Sequence, residues 1–174
     1  MTRMSVAVRL PDDVMSVVRA LPRPPLPEVH WSPSERWIVK VRPLGHVAPE
    51  LVKPLLDALG AELDGAPPVA CRLGPATIRP GGQWLGVRVA GLEEIGAVVF
   101  EATAPLVPVT HPQPFHAELV LASGRVPREL GGVPLEAAWT ADRLVLVADR
   151  SGPGRPRLED LGEITLDGTL PPEV

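Results

Sequence analysis

Two pairs of residues combine reactive side chains with the spacing of a β-strand. Lys40 and Arg42 are two residues apart in one apolar, strand-like segment, and His116 and Glu118 are two apart in another. Because alternate residues of a strand face the same side, each pair is expected to share one surface. The cationic pair predicts anion binding. The carboxylate predicts general-base chemistry, since burial raises the pKa of a carboxyl group.

The histidines offer only part of a catalytic site. His30 begins a His-Trp-Ser run, but Pro33 follows at once, which indicates an edge or a loop rather than a central strand. His46 follows a glycine at a turn and His111 precedes a proline, so both are expected in surface loops. His116 is interpreted first as an exposed residue at the end of a strand, and alternatively as a group at the rim of a cleft.

The sequence predicts neither a metal site nor a cofactor. A metal site needs three or four converging ligands, and His116 and Glu118 supply only two. The Gly-rich run 79–86 leads into a strand rather than a helix, so it does not predict a phosphate-binding loop. The single cysteine, Cys71, excludes a disulfide within the chain and a multi-cysteine metal site.

Composition indicates a globular cytoplasmic protein. The chain has 174 residues, a net charge of −4 and a pI of about 5.6. The acidic balance and the 3% aromatic content argue against a dedicated RNA-binding surface, so RNA is a less favoured partner. A single cysteine fits a reducing compartment. Neither a signal peptide nor an apolar run long enough to span a membrane is found, so no membrane contact is expected.

Hydrophobic periodicity predicts an α+β fold. Strands are expected at 4–10, 37–44, 67–74, 83–91, 114–124 and 157–166, and two short strands are expected within 135–151 around a turn at 140–142. Helices are expected at 11–21, 48–63 and 92–106. In the second helix, Pro54 predicts a kink or a late start, and Gly60 predicts the C-terminal end.

The order of these elements, with particular residues in them, resembles the 2H phosphoesterase superfamily, which includes the LigT-like 2'-5' RNA ligases and RNA cyclic phosphodiesterases. The resembling segments are SVAVRLPDDVMSVVRAL, VHWSPSERW, VKVRPLGHV, QWLGVRVAGLEEI, PFHAELVLA and AWTADRLVLVADRSGPG, and together they cover nearly the whole chain. The resemblance implies a bilobal fold with two antiparallel sheets around a central cleft and helices on the outer faces. It also implies that residues 1–174 form a single domain of two pseudo-symmetric lobes in a bacterial protein.

The family's chemistry depends on two His-hydrophobic-Thr/Ser-hydrophobic motifs, and the matching positions differ here. The two histidines act as general base and general acid, and the hydroxyls hold the phosphoryl oxygens. On the matching strands, Ile38 and Lys40 occupy the histidine and hydroxyl positions of the first motif. Glu118 and Val120 occupy those of the second. The resemblance therefore implies a degenerate member that lacks both motifs.

The same alignment implies that Lys40 and Glu118 project into one cleft from opposite lobes. One interpretation is an ion pair that fills the space; the other is a catalytic site, with Glu118 as acid/base and Lys40 stabilising a developing oxyanion. Ile38 and Val120 would make the cleft more apolar than a phosphate site. The remaining cleft residues expected are Arg42, His116 and the indole of Trp84 or Trp37.

Three functions remain open from the sequence. The first is a pseudoenzyme that binds a small molecule, a nucleotide or a partner in the cleft. The second is an enzyme that has changed its reaction and uses Glu118 with Lys40 on a small carbonyl substrate. The third is an active RNA 2',3'-cyclic phosphodiesterase or RNA ligase. The oligomeric state, the ligand and the pathway are not encoded in any pattern of the sequence.

Overall fold

Short strands and helices follow one another along residues 1–109 and 115–169, the part of the chain that this computed structural model describes. The strands are β1 (Thr2–Arg9), β2 (Val29–Trp31), β3 (Ile38–Val47), β4 (Val69–Ile78), β5 (Trp84–Ala90), β6 (Glu118–Gly124), β7 (Ala137–Ala141), β8 (Arg143–Asp149) and β9 (Leu158–Thr165). The α-helices are α1 (Asp12–Arg19), α2 (Val52–Glu62) and α3 (Glu93–Thr103). The predicted strands and helices are all present with shifted ends, and β2 is additional. His111 and the first residue of the strand predicted at 114–124 lie outside the described residues.

The first helix forms where the sequence predicts it, and its charges suit its ends. Pro11 precedes α1, Asp12 and Asp13 lie in the first turn, and Arg19 lies in the last. Carboxylates near a helix N-terminus and cations near its C-terminus interact favourably with the helix dipole. The buried side of α1 includes Val14, which belongs to the main hydrophobic core.

The second helix confirms one prediction and corrects another. A 3₁₀ turn at Pro49–Leu51 precedes α2, so Pro54 lies in the first turn of the helix, where its missing N–H has no intrahelical partner to lose. The late start is therefore confirmed. The prediction that Gly60 ends the helix is wrong, because α2 continues to Glu62. The buried Leu63 then donates its N–H to the Leu59 carbonyl over 2.9 Å, and this burial outweighs the cost of about 1 kcal/mol for an internal glycine.

The described strands form one nine-stranded antiparallel sheet. Its order is β7-β4-β5-β6-β3-β1-β8-β9, and β2 pairs with β6 beside this path. The two sheets expected from the sequence are thus two four-stranded halves, β7-β4-β5-β6 and β3-β1-β8-β9. The halves are joined through β3 and β6, where the register pairs Val39 with Leu119. His30 lies on β2, which pairs only with β6, so the prediction that it lies at an edge is confirmed.

The strands β7 and β8 follow each other in sequence but belong to different halves of the sheet. One residue, Asp142, separates them, yet β7 pairs with β4 and β8 pairs with β1. The chain therefore crosses between the halves at this turn rather than forming a hairpin. None of the helices in the described ranges combines the length and apolar character needed to cross a membrane.

The two faces of the sheet carry different hydrophobic clusters. Val39 and Leu119 are fully buried and belong to the main core, in which α1, α2 and α3 also bury side chains. Their neighbour Ile38 belongs to a separate small cluster that includes Ala7 and Val147. This is the alternation expected of strands that are covered on both sides. The side chains opposite the main core are therefore the ones that can form a cleft.

We expect the two faces of β6 to respond differently to truncation. Leu119 is 0% exposed, whereas the adjacent Val120 is 41% exposed. Leu119→Ala should lower the free energy of unfolding by about 2–5 kcal/mol, because it removes buried methyl groups and leaves a cavity. The matched Val120→Ala should change it by about 0.5 kcal/mol or less. Urea denaturation measures both, and an equal loss in the two variants would contradict the assigned register.

Candidate functional site

The four positions singled out by the two motif-like strands meet in one cleft. It has a volume of about 170 Å³ and is lined by Ile38 and Lys40 from β3 and by Glu118 and Val120 from β6. Because β3 and β6 are antiparallel, the pairing of their central residues places Lys40 beside Glu118 and Ile38 beside Val120. The cleft thus lies at the junction of the two halves of the sheet.

Strands and turns from both sides of this junction complete the cleft. Its further lining residues are Arg3, Ser5, Ser32, Arg36, Val147, Asp149 and Leu158. No motif or spacing in the sequence identifies these residues. Their adjacency to β3 depends on the strand order, in which β1 lies between β3 and β8. The alternation within each strand gives no information on that order.

An ion pair on one wall of the cleft holds the Asp149 carboxylate. Arg36 Nη2 lies 2.9 Å from Asp149 Oδ2, and the Ser151 N–H donates to Asp149 Oδ1 over 2.9 Å. Arg36 Nη1 donates to Ser151 Oγ as well. Burial alone would raise the pKa of Asp149, but the hydrogen bonds from Ser151 and Arg36 lower it to about 2. Asp149 is therefore ionised and its charge is taken up by Arg36.

Lys40 enters the cleft without a carboxylate partner. The ion pair with Glu118, one of the two interpretations of the sequence, does not form, and Lys40 makes no ion pair with any other residue in 1–109 or 115–169. Burial lowers the pKa of Lys40, and the charges of Arg3 and Arg36 lower it further, while Asp149 opposes this effect. The three cations give the cleft a local excess of positive charge over its two carboxylates.

Glu118 is held in place from the neighbouring strand. Trp84 Nε1 on β5 donates a hydrogen bond of 2.6 Å to Glu118 Oε1. Gly86 lies alongside, and a Cβ at that position would come within 3.2 Å of the Leu119 carbonyl oxygen and 3.5 Å of Glu118 Cδ. Trp84 thus orients the carboxylate rather than lining the cleft as expected. The alternative wall, Trp37, is buried in the main core.

Arg42 does not share the face of Lys40, and the prediction of a cationic pair on one surface is wrong. Ala7 of β1 pairs with Lys40 and the adjacent Val6 pairs with Arg42, so β3 has one extra residue, Val41, at this point. Such a bulge breaks the alternation of side chains. The side chain of Arg42 is instead buried on the side of the main core.

The buried guanidinium of Arg42 ties β3 to the end of α3. It donates to Thr103 Oγ1 through Nη1 and to the Val107 carbonyl through Nη2 over 3.2 Å. Its Cζ lies 5.0 Å from the centre of the Phe100 ring, which is within the range of a cation–π contact. These contacts give Arg42 a structural role outside the cleft.

His116 also lies outside the cleft. It is exposed, precedes the first residue of β6, and lines a larger cavity of about 730 Å³ that also includes Arg42 and Phe100. The alternative placement at the cleft rim is therefore wrong, because the alternation of β6 does not extend to this residue. His30 and His46 do not line the cleft either. Among the described residues, no three His, Cys, Asp or Glu side chains converge as metal ligands would.

Comparison with known proteins identifies the fold. No family model matches the sequence, and no curated protein matches it. Solved structures do match over 95% of this chain and 98% of theirs: TT0787 of Thermus thermophilus (19% identity, TM-score 0.83), a phosphoesterase (19%, 0.81) and E. coli LigT complexed with 3'-AMP (19%, 0.81). The fold is that of the LigT-like 2H phosphoesterases. The α+β fold class and the resemblance that the sequence predicts are confirmed at the level of the fold.

The likeness to the LigT-like structures extends to the fold and not to the residues of the cleft. The MHV ns2 PDE domain is a more distant structural neighbour, with 13% identity and a TM-score of 0.53. At such identities the likeness extends to the arrangement of strands and helices. The chemistry of the cleft must be argued from the side chains of this chain.

The stability contributed by Asp149 should depend on pH in a defined window. Its pKa falls from an ordinary 3.8 to about 2 on folding, so the contribution is complete above about pH 4 and is lost as the pH falls towards 2. Asp149→Asn should therefore destabilise the protein more at pH 5 than at pH 2.5. Urea denaturation at both pH values measures the difference.

The matched control for this prediction is Asp57→Asn. Asp57 pairs with Lys53 within α2, and both side chains are well exposed, at 64% and 84%. Such exposed pairs contribute little to stability, so the control should show a small effect at either pH. A destabilisation by Asp149→Asn that is the same at the two pH values would contradict the low pKa.

Proposed function

We propose that this protein is a LigT-like member of the 2H phosphoesterase superfamily that has lost hydrolysis and binds a small anionic molecule or a nucleotide in the cleft. The proposal treats residues 1–174 as a single domain of two pseudo-symmetric lobes that meet at β3 and β6. It includes a bacterial origin and a cytoplasmic location, which rest on the likeness to LigT-like proteins and on the single cysteine. The observation that carries it is a cleft lined by Arg3, Arg36 and Lys40 and, among the residues that the structure describes, by no imidazole.

The loss of hydrolysis follows from the chemistry of four side chains. General acid–base catalysis needs groups that take up and release a proton near the working pH. Ile38 and Val120 have no ionisable group, and their aliphatic side chains occupy one cross-strand position. The other cross-strand position holds the ammonium of Lys40 and the carboxylate of Glu118. In the family, a hydroxyl corresponds to Lys40 and a histidine corresponds to Glu118.

The binding of an anion is supported by the charges of the cleft. Arg3 and Lys40 both line it and, within the described ranges, form no ion pair. Structures of E. coli LigT have been solved in complex with NADP+, 3'-AMP, ATP and phosphate, which supports a phosphate-bearing ligand here. A cleft of about 170 Å³ is smaller than most nucleotide-sized pockets, so we place only the phosphate of a nucleotide inside it.

Isothermal titration calorimetry with inorganic phosphate and 3'-AMP tests the binding proposal. Lys40→Met should weaken binding about 10- to 100-fold, as expected when a hydrogen bond to a charged group worth about 1.5–3 kcal/mol is lost. The matched Lys53→Met removes the other lysine, whose side chain is exposed on α2, and should bind as the unaltered protein does. Absence of binding at millimolar ligand, or equal affinity in both variants, would contradict the proposal.

A second candidate function is favoured by the hydrogen bond from Trp84 to Glu118. This bond fixes a carboxylate beside Lys40, which is the arrangement needed to remove a proton next to a carbonyl while a cation stabilises the enolate. Glu118 would be the acid/base and Lys40 the oxyanion stabiliser. The apolar side chains of Ile38 and Val147 would support this chemistry by excluding water from the floor of the cleft.

Deuterium exchange of the methyl protons of pyruvate, followed by ¹H NMR in D₂O, tests this second candidate. The unaltered protein should accelerate exchange, and Glu118→Gln should reduce the acceleration about 10²–10⁴-fold, the usual contribution of a general acid or base. An unchanged melting temperature in the variant would separate this effect from unfolding. Exchange no faster than in buffer would exclude the enolising activity.

A further inference from the structure

The chain has only two lysines, and they lie in opposite environments. Lys53 is on α2 with its side chain 84% exposed, and its Nζ lies 2.6 Å from Asp57 Oδ2. Lys40 lines the cleft and has no ion pair among the described residues. The Lys53 amine is therefore solvated and paired with a carboxylate, whereas the Lys40 amine is partly buried beside further cations.

The groups around Lys40 make its neutral form easier to reach. Arg3 on β1 and Arg36 before β3 place two guanidinium groups on the same cleft. Asp149 on β8 opposes them, but its carboxylate already accepts two hydrogen bonds from Arg36. Burial and the two guanidinium groups together lower the pKa of Lys40. A lysine desolvated in an apolar pocket or placed next to another cation is the usual form of a nucleophilic amine.

We propose that Lys40 is a nucleophilic amine that condenses with the carbonyl group of a small 2-oxo acid held in the cleft. This inference rests on the proposed function, because it requires the cleft to be a ligand site, and it names the class of ligand. It differs from the second candidate above, in which Lys40 acts only through its charge.

The cleft offers a complementary group for each part of a 2-oxo acid. The carboxylate meets the guanidinium of Arg3, which forms no ion pair within the described ranges. The carbonyl carbon meets Lys40, and the short alkyl group meets the apolar side chains of Ile38, Val147 and Leu158. A volume of about 170 Å³ suits a molecule of this size.

The condensation balances without an oxidant or a further co-reactant. The neutral amine of Lys40 attacks the carbonyl carbon, and a C–N bond forms as the C=O π bond breaks. The nitrogen loses a proton and the oxygen gains one, which gives a carbinolamine; the Glu118 carboxylate beside Lys40 relays this proton. A second proton from solvent then lets the hydroxyl leave as water. The product is an iminium ion, so one carbonyl, one neutral amine and one proton from solvent have become one iminium ion and one water.

Reductive trapping tests this chemistry directly. The protein is incubated near pH 7 with pyruvate and sodium cyanoborohydride, which reduces an iminium ion to a stable secondary amine. Peptide mapping by mass spectrometry then measures the adduct on each lysine and, separately, on the chain's amino terminus. Lys40 should be labelled faster than Lys53, because burial and the neighbouring guanidinium groups lower the pKa of Lys40 and so raise its fraction of neutral amine.

Variants separate the amine from the rest of the cleft. Lys40→Arg keeps the positive charge and should abolish the cleft adduct, with Lys40→Met as a second variant if the first does not fold. Lys53→Arg should leave trapping at Lys40 unchanged. Arg3→Met should slow trapping of pyruvate more than that of acetaldehyde. Loss of the Arg3 charge affects the pKa of Lys40 with either compound, but only pyruvate has a carboxylate to bind.

The outcomes distinguish this inference from the proposed function. Equal labelling of the two lysines, with 3'-AMP or phosphate still bound, overturns the imine chemistry and leaves the binding function in place. Equal labelling with no binding of either anion contradicts both the imine chemistry and the proposed binding function. Preferential labelling of Lys40 that Arg3→Met slows equally for pyruvate and acetaldehyde, or does not slow at all, overturns the choice of a 2-oxo acid as the ligand.

Discussion

Where β3 meets β6, the pairing of Val39 with Leu119 holds together the two halves of the sheet. Both side chains are fully buried in the main core. Since strands alternate, fixing these two residues in the core forces the residues on either side of each to the opposite face. A register shift of one residue would turn the cleft residues into the core and the core residues into the cleft. The hydrophobic burial at this pair therefore sets the cleft's composition.

The electrostatics of the cleft depend on which of its charged groups form ion pairs or hydrogen bonds. Arg36 and Asp149 neutralise each other on one wall, with Ser151 completing the hydrogen bonds of the carboxylate. Glu118 is tied to Trp84. Lys40 is left beside unbalanced positive charge, and a partly buried cation of this kind is costly unless an anion or deprotonation relieves it. Binding of an anion and deprotonation of the Lys40 amine would each reduce this excess of positive charge.

The hydrophobic periodicity of the sequence was sufficient to predict the elements, and the resemblance to the 2H phosphoesterases implied which two strands carry the site. Ile38, Lys40, Glu118 and Val120 all reach the cleft that the sequence predicts. Arg42 does not, because the bulge at Val41 depends on how β3 pairs with β1 and leaves no mark in the hydrophobic pattern. Arg3 and Asp149 enter the cleft because β1 lies beside both β3 and β8, and no spacing in the sequence encodes that order.

We propose that the fold has kept its cleft while the groups at four positions no longer cleave phosphate esters. ³¹P NMR of 2',3'-cyclic AMP measures this directly, with the unaltered protein compared to a folded variant that carries Ile38→His, Lys40→Thr, Glu118→His and Val120→Thr. The account predicts that the unaltered protein leaves the cyclic phosphate intact and that the fourfold variant opens it. Opening of the ring by the unaltered protein would contradict the account.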